Sequence, residues 1–221
     1  MSRPYWIIAG LLTLSAWALA AWLYTSLPQR VPTHWNIEGK VDGWGDKSWA
    51  TFLMPGTMTG MLVLFAFLPA LSPKHFEVDS FRSTYLYIMV LTTGLFAYMN
   101  GVILLATWQE VREGPRFMDI GRALIGGIFL FIAFLGNVMG KVRKNFYIGI
   151  RVPWTLASDR VWNDTHRLAA WVMVAVGVIG FLLIIAGVSA IVALGLLIGS
   201  MLIPAVYSLV HYKSLERRGV L

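Results

Sequence analysis

The sequence contains no cysteine. This absence excludes a disulfide framework, a thiolate metal site and a cysteine nucleophile. Charged residues are also scarce, at 13% of the 221 residues, whereas an ordinary soluble domain has about a quarter. Hydrophobic residues make up 57% of the chain. This composition predicts one compact membrane domain with little room for a soluble one.

Lysine and arginine outnumber aspartate and glutamate, so the net charge is +7. In a soluble protein such a basic excess indicates nucleic-acid binding. Here the chain has no room for a soluble module that would carry this activity. We therefore predict no direct contact with nucleic acid, and we attribute the basic excess to membrane orientation and to contact with membrane lipids through anionic headgroups.

Six apolar stretches of this chain are long enough for membrane-spanning helices, which need roughly 20 residues each. They are residues 5–25, 50–71, 84–108, 121–140, 168–186 and 189–212. The sequence thus predicts an all-α integral membrane protein, a bundle of six transmembrane helices. A signal peptide is an alternative for the first stretch, but its apolar run is longer than the usual ~7–15 residues.

Ionisable residues are absent from the middle of these stretches. Proton-coupled and ion-coupled transporters usually need such residues inside the membrane, so their absence argues against that class. We expect Asn100 and Asn137 to form hydrogen bonds between helices. We also expect glycine pairs four residues apart to pack helices closely within the bundle. These pairs are Gly56 with Gly60, Gly136 with Gly140, and Gly195 with Gly199.

The distribution of lysine and arginine predicts the orientation. With six spans, 12 of the 18 basic residues fall on the side of the two termini and 6 on the other side. Short loops rich in lysine and arginine stay in the cytoplasm. We therefore predict cytoplasmic termini, an extracellular loop at residues 26–49 and a basic cytoplasmic loop at residues 141–167, hereafter the basic loop.

The predicted extracellular loop contains the first group of candidate residues. Prolines, glycines and tryptophans frame it, which favours a structured loop seated at the membrane surface. The candidates for a ligand or partner are His34, Asn36, Gly39 and Asp42. One interpretation is a structured cap in which Asn36 and Asp42 bond turn amides; another is a surface that receives a peptide. A metal site at His34 and Asp42 is a further alternative, although their spacing matches no ligand motif. We predict no metal and no cofactor.

The basic loop contains the second group. Ser158 or Asp159 is expected to cap a helix that continues into the fifth span. On that helix Trp162 and His166 lie four residues apart on one stripe, and Asn163 and Arg167 on the next. The full set of ligand or partner candidates is Asn145, Arg151, Trp154, Trp162, Asn163, His166 and Arg167. These residues are interpreted either as membrane anchors or as a basic pocket for an anionic headgroup or partner protein. His166 as a general base is a further alternative, although no nucleophile accompanies it.

Both loops carry motifs that resemble the SdpI family of bacterial membrane proteins. The first motif is Pro32-x-His34-Trp35-Asn36-x-x-Gly39-x-x-Asp42-Gly43, and it resembles the domain of unknown function that precedes the SdpI region in many members. The second is Asn145-Phe146-Tyr147-Ile148-Gly149-Ile150-Arg151, followed by Trp154-Thr155 and by Val161-Trp162-x-x-Thr165-His166. Lys144 stands where a common family form has proline. The resemblance divides the chain into an N-terminal two-helix unit, residues 1–72, and an SdpI-like four-helix region, residues 73–221.

The resemblance implies a multi-pass protein of the bacterial inner membrane. The family's best-known member protects a producing cell from a secreted toxic peptide, and it captures a repressor at the membrane. We therefore expect a non-enzymatic immunity or signalling protein, with a toxic peptide outside and a repressor inside as its partners. The alternatives are an integral-membrane enzyme that uses His34 with Asp42, or His166, as acid and base, and a transporter of a lipid or peptide.

Overall fold

The computed structural model describes residues 2–36, 39–73, 78–112 and 118–221, apart from the side chains of residues 190 and 191. The described chain is mostly helical. Its helices are α1 (Arg3–Tyr24), α2 (Lys47–Phe67), α3 (Arg82–Val111), α4 (Ile120–Met139), α5 (Pro153–Ala157), α6 (Asp159–Ile185) and α7 (Ala190–Arg217). Two strands, β1 (Arg30–Trp35) and β2 (Val41–Asp46), lie between α1 and α2. Short 3-10 helices occupy Leu68–Leu71 and Val78–Phe81.

Every helix except the short α5 is long and apolar enough to cross a membrane, which gives six candidate spans in the described chain. Large apolar side chains cover the outward faces of these helices; Leu14 and Trp171, for example, are 65% and 74% exposed. A water-soluble bundle would bury such side chains, whereas lipid solvates them. The predicted multi-pass membrane protein is confirmed.

The chain divides into two compact units, each of which takes part of α3 and α4. The first contains residues 1–65 and 89–128, and the second contains residues 66–88 and 129–221. The candidates between α1 and α2 lie on or between the two strands and are hereafter called the hairpin site; they are His34, Asn36, Gly39 and Asp42. The hairpin site belongs to the first unit and the basic loop to the second. The family resemblance implies a different division, at residue 72, which is based on where the two sequence motifs lie. That division stays a prediction.

The loop between α1 and α2 contains a two-stranded antiparallel sheet, which the all-helical expectation did not include. β2 carries two glycines and two aspartates, which are depleted in strands, and β1 is interrupted by a proline. The burial of β2 nevertheless alternates from residue to residue. The short connection and the pairing between backbones hold the hairpin where side-chain propensity does not.

Glycine packing is confirmed for one of the three predicted pairs. In the second unit, a Cβ atom on Gly136 of α4 would lie 2.8 Å from the backbone nitrogen of Val174 in α6, so only glycine allows this approach. The other two pairs, in α2 and α7, face no atom of the described chain within 4 Å. The expectation of packing within the bundle was wrong there, because the spacing places two glycines on one face of a helix without determining which face is covered.

Of the two asparagines expected to bridge helices, one is at the surface and the other has an unsatisfied donor among the described residues. Asn137 is exposed. Asn100 of α3 is 2% exposed, but its Nδ2 has no hydrogen-bond partner among the described residues. A polar side chain in an apolar span predicts burial or a functional contact, but the sequence does not show whether a donor and an acceptor are within reach of each other.

Candidate functional site

The hairpin site lies on the sheet formed by β1 and β2. The strands pair with Arg30 opposite Asp46, and the register shifts on both sides of His34. Such an irregularity re-aims a side chain. His34 Nδ1 lies 2.5 Å from Asp42 Oδ1, so the two predicted residues are bonded across the hairpin. Both lie at the surface, with side chains 69% and 46% exposed.

Asn36 and Gly39 shape the turn that joins the strands. The backbone amide of Asn36 donates to the Lys40 carbonyl at 2.9 Å, and Asn36 Oδ1 accepts from the Lys40 amide at 3.0 Å. Gly39 has φ of 73°, a left-handed conformation that favours glycine. The predicted turn-ordering role of Asn36 is confirmed. For Asp42 a turn amide was the expected partner, and the structure bonds it to the His34 side chain.

Among the described residues of the hairpin, His34 and Asp42 form one histidine–carboxylate pair. Among residues 2–36, 39–73, 78–112 and 118–221, no three His, Asp or Glu side chains are placed to hold a metal ion together. A carboxylate on one ring nitrogen of a histidine orients the imidazole and fixes its tautomer. The pair is therefore a hydrogen-bonded surface feature that presents an oriented ring.

Asn145 organises the start of the basic loop from the inside. It is fully buried. Its Nδ2 donates to the carbonyls of Arg143 and Ile148, both at 2.8 Å. Its Oδ1 accepts from the amides of Tyr147 and Ile148, both at 2.7 Å. One side chain thus satisfies four backbone groups and holds residues 143–148 in a fixed shape.

His166 connects the basic loop to α6. Its Nε2 accepts from the Ile150 amide at 3.0 Å, which requires that nitrogen to carry no proton. Its Nδ1 therefore bears the proton and donates to the Trp162 carbonyl at 2.8 Å. The ring stacks on Trp162 with centroids 4.0 Å apart and is 1% exposed. Both nitrogens are occupied by backbone groups, so this arrangement gives His166 a structural place and offers no free base.

The capping prediction for α6 is confirmed. Ser158 is the N-cap, and its side chain accepts from the Val161 amide. The helix then runs unbroken from Asp159 to Ile185. Trp162 is buried on the same stripe as His166, and its Nε1 donates to the Val142 carbonyl at 2.8 Å. This stripe of α6 faces the part of the basic loop that precedes α5, where Val142 and Ile150 lie.

The indole of Trp154 and the hydroxyl of Thr155 attach α5 to its surroundings. Trp154 is half-buried, and its Nε1 donates to Ser208 Oγ of α7. Thr155 Oγ1 donates to the Ile150 carbonyl at 2.7 Å and accepts from the Val152 amide at 3.1 Å. Thr155 belongs to the second sequence motif but was not among the predicted site residues. Its signal was its position just inside a Pro-initiated helical turn.

Of the seven candidates in the basic loop, three are exposed: Arg151, Asn163 and Arg167. The guanidinium of Arg151 lies 5.2 Å from the ring centre of Phe146. Asn163 and Arg167 share the outward stripe of α6, while His166 points inward. The members of the expected basic pocket are therefore divided, with Asn163 and Arg167 at the surface and His166 in the interior.

A basic cavity lies where the loop meets the first turn of α6. Its volume is about 340 Å³, and its lining is Arg143, Lys144, Asp159, Trp162 and Asn163. Lys144 Nζ lies 2.5 Å from Asp159 Oδ1. Arg143 and Lys144 were not among the predicted site residues, because the spacing of lysines and arginines does not show which of them a cavity brings together.

Two known families match the chain, one in its N-terminal part and one in its C-terminal part. The domain of unknown function DUF1648 matches residues 11–59, and the SdpI/YfhL protein family matches residues 141–208. The chain is also 30% identical over 162 residues to the Immunity protein SdpI of Bacillus subtilis (strain 168), which covers 71% of this chain and 70% of that protein. The chain belongs to the SdpI family. No solved structure matches it.

The matched regions of this SdpI-family protein contain both candidate sites. All of the hairpin site falls within residues 11–59, and all the selected residues of the basic loop fall within residues 141–208. Within the SdpI region, Asn145, Trp162 and His166 form the buried framework. The exposed set is Arg151, Asn163 and Arg167.

Proposed function

We propose that the protein is a non-enzymatic immunity protein of the bacterial inner membrane that gives resistance to a secreted toxic peptide. The observation that carries the proposal is the 30% identity, over 162 residues, to a protein named Immunity protein SdpI. The matched length includes most of the chain, so the similarity is not confined to apolar helices of generic composition. A multi-pass membrane location is also what protection against a peptide acting at the membrane requires.

The proposal includes an orientation with both termini in the cytoplasm and the hairpin outside. It is supported by the 12 basic residues on one side against 6 on the other. Alkaline phosphatase fused after the last residue should be inactive, and a fluorescent protein at that position should fluoresce. Phosphatase inserted in the turn between β1 and β2 should be active. An active phosphatase at the C-terminus would contradict the orientation.

In this proposal the two sites have separate tasks. The hairpin site faces the peptide, and the exposed face of the basic loop receives a transcriptional repressor or anionic headgroups. Support for the second task comes from the construction of the loop. Asn145 and His166 hold its backbone from inside, so the exposed arginines project from a fixed frame. Arginine there can hold a carboxylate or phosphate with two parallel bonds, which lysine does not reproduce.

The central test is survival. Bacillus subtilis cells that lack their own SdpI would express this chain while toxin-producing cells grow beside them. We expect survival to rise well above that of cells with an empty vector, at equal membrane abundance of the protein. Survival no better than the empty vector, with the protein correctly inserted, would contradict the immunity proposal.

Arg151→Lys and Arg167→Lys separate specific contact from charge. Each variant keeps the positive charge, so insertion and abundance should be normal. We expect repressor capture, measured as repressor in the membrane fraction, to fall in both variants. Asp79, in a short 3-10 helix outside both sites, offers a control through Asp79→Asn, which should leave capture unchanged. Full capture in both lysine variants would reduce these arginines to membrane anchors.

An integral-membrane enzyme is the second candidate, and the observation that favours it is the bonded His34–Asp42 pair. A histidine oriented by a carboxylate is an arrangement used for general acid–base catalysis. His34→Gln keeps a polar side chain of similar size but removes the imidazole ring. If the protein is an enzyme that uses this pair, the variant should give no protection at any toxin dose. If the protein only binds the toxin, a higher abundance of the variant should restore survival.

A further inference from the structure

A small cavity in the first unit lies between the hairpin and the transmembrane helices. Its wall includes Pro32 and Thr33 of β1, Leu53 and Met54 of α2, and Asn100 and Ile103 of α3. Its volume is about 160 Å³. Pockets for whole drug-sized ligands have roughly 300–1,000 Å³. This cavity is therefore sized for one side chain or one short alkyl segment.

The cavity combines an apolar wall with one unsatisfied donor. Asn100 is 2% exposed, and its Nδ2 is without a hydrogen-bond partner in the described part of the chain. Buried polar atoms in native proteins are almost always bonded, so each exception needs an explanation. An acceptor carried by a ligand in this cavity would supply one. The first turns of α2 and the strand β1 place the cavity at the loop end of the helices.

We propose that this cavity binds a short apolar segment of a peptide. An aliphatic side chain fills the space between Leu53, Met54 and Ile103, and a carbonyl of the peptide accepts a hydrogen bond from Asn100 Nδ2. The proposal rests on the proposed function, because the peptide would be the secreted toxic peptide. It adds a binding site that is separate from His34 and Asp42.

The alternative occupant is the alkyl tail of a lipid, and the chemistry of the wall favours the peptide. An alkyl tail has no hydrogen-bond acceptor, so it would leave Asn100 Nδ2 as unsatisfied as it is in the empty cavity. A peptide carries an acceptor next to every side chain, so it satisfies the donor and fills the apolar space together. The contribution of Pro32 and Thr33 also places part of the wall on the hairpin, which lies outside the six spans.

The absence of cysteine from the chain makes a protection experiment direct. Ala50 of α2 also lines the cavity, so Ala50→Cys creates a single thiol at its edge. Ser48→Cys places a matched thiol in the same turn of α2. The rate of labelling by a methanethiosulfonate reagent would be measured in detergent with and without N-acetyl-leucinamide, which carries an isobutyl group and carbonyls. The comparison probe is 2-methylpentane, which has a similar alkyl group and no acceptor.

We expect N-acetyl-leucinamide to slow labelling of the Ala50→Cys protein and not of the Ser48→Cys protein. Adding Asn100→Leu should weaken this protection by roughly threefold to tenfold, the loss expected for one hydrogen bond. The thermal midpoint of the Asn100→Leu protein should be at or above that of the parent, because an unsatisfied buried group is removed. If that variant does not fold, Asn100→Ala provides the same test.

Two results would overturn the proposal. Equal protection by 2-methylpentane, unaffected by Asn100→Leu, would make the cavity a site for alkyl tails. No protection by either probe would leave it without a ligand of this kind. The assay uses no toxin, so it is independent of immunity. Failed protection in a protein that still gives survival refutes the cavity alone, and normal protection in a protein that gives no survival refutes the proposed function alone.

Discussion

The change Asn145→Asp tests whether the buried asparagine holds the basic loop together. In the structure Nδ2 of Asn145 donates to the carbonyls of Arg143 and Ile148 at 2.8 Å each. The substitution keeps the size of the side chain and the acceptor oxygen that bonds Tyr147 and Ile148. It replaces the donor by an oxygen that faces two carbonyl oxygens in a fully buried position.

The expected loss of stability follows from those two bonds. Removing a donor so that its carbonyl is left without a partner costs ~1–3 kcal/mol for each bond, which exceeds the net contribution of a typical hydrogen bond. Partial relaxation of the loop offsets some of this cost, so we expect a decrease of about 3–5 kcal/mol in the free energy of unfolding. For a chain of this size, about 1 kcal/mol shifts the thermal midpoint by roughly 2–4 °C, so the midpoint should fall by at least about 6 °C.

The assay is thermal unfolding of the purified protein in detergent, followed by circular dichroism. Asn163→Asp is the matched control, because it makes the same chemical change on an exposed residue of α6 in the same region. It should shift the free energy of unfolding by no more than about 0.5 kcal/mol. Equal midpoints for the two variants would refute the conclusion that Asn145 organises the loop.

Three further predictions concern the basic loop and the hairpin. Gly149 has φ of 120°, and a Cβ there would contact the His166 nitrogen that accepts the Ile150 amide. Gly149→Ala should therefore lower the free energy of unfolding by at least about 1–3 kcal/mol. An unchanged free energy of unfolding in chemical denaturation would contradict this. The amides of Ser48 and Trp49 hold the pKa of Asp46 below its usual value of 3.8, so ionised Asp46 stabilises the fold above that pH and the stabilisation is lost as the pH falls through the lowered pKa. Asp46→Asn keeps a capping side chain, so its thermal midpoint should lie below that of the parent at neutral pH and converge with it in acid; a constant difference across pH would contradict the assignment. His166→Phe retains the stacking on Trp162 but removes both ring bonds, so proteolysis within the basic loop should become faster, and an unchanged cleavage rate would show that these bonds do not hold it.

Much of the fold could be predicted from the sequence, because apolar length and capping are local properties. The six spans and the helix that begins after Ser158 follow from such signals. The hairpin could not be predicted in the same way, since β2 is rich in glycine and aspartate and its pairing is set by backbone geometry. The glycine pairs show a similar limit, because spacing predicts a small-residue face but not the helix that covers it.

The sequence predicted which residues belong to the candidate site better than it predicted how they are arranged. The helical spacing correctly placed Trp162 on the stripe of His166, and Asn163 on that of Arg167. It did not show that the first stripe is buried and the second exposed, because that depends on the backbone of the basic loop. That backbone is held by side-chain bonds to carbonyls and amides, and such bonds leave no periodic pattern in a sequence.

The arrangement of the basic loop affects how variants of its family motif are interpreted. Asn145, Trp162 and His166 all bond backbone groups in the interior, so their loss removes structure before it removes any surface contact. A variant of these residues that fails to protect cells would therefore not identify a binding residue. Arg151 and Arg167 are exposed, so a loss of function in their lysine variants at normal stability would do so. Measuring the folded fraction beside activity at each position thus separates the residues that build the loop from those that contact a partner.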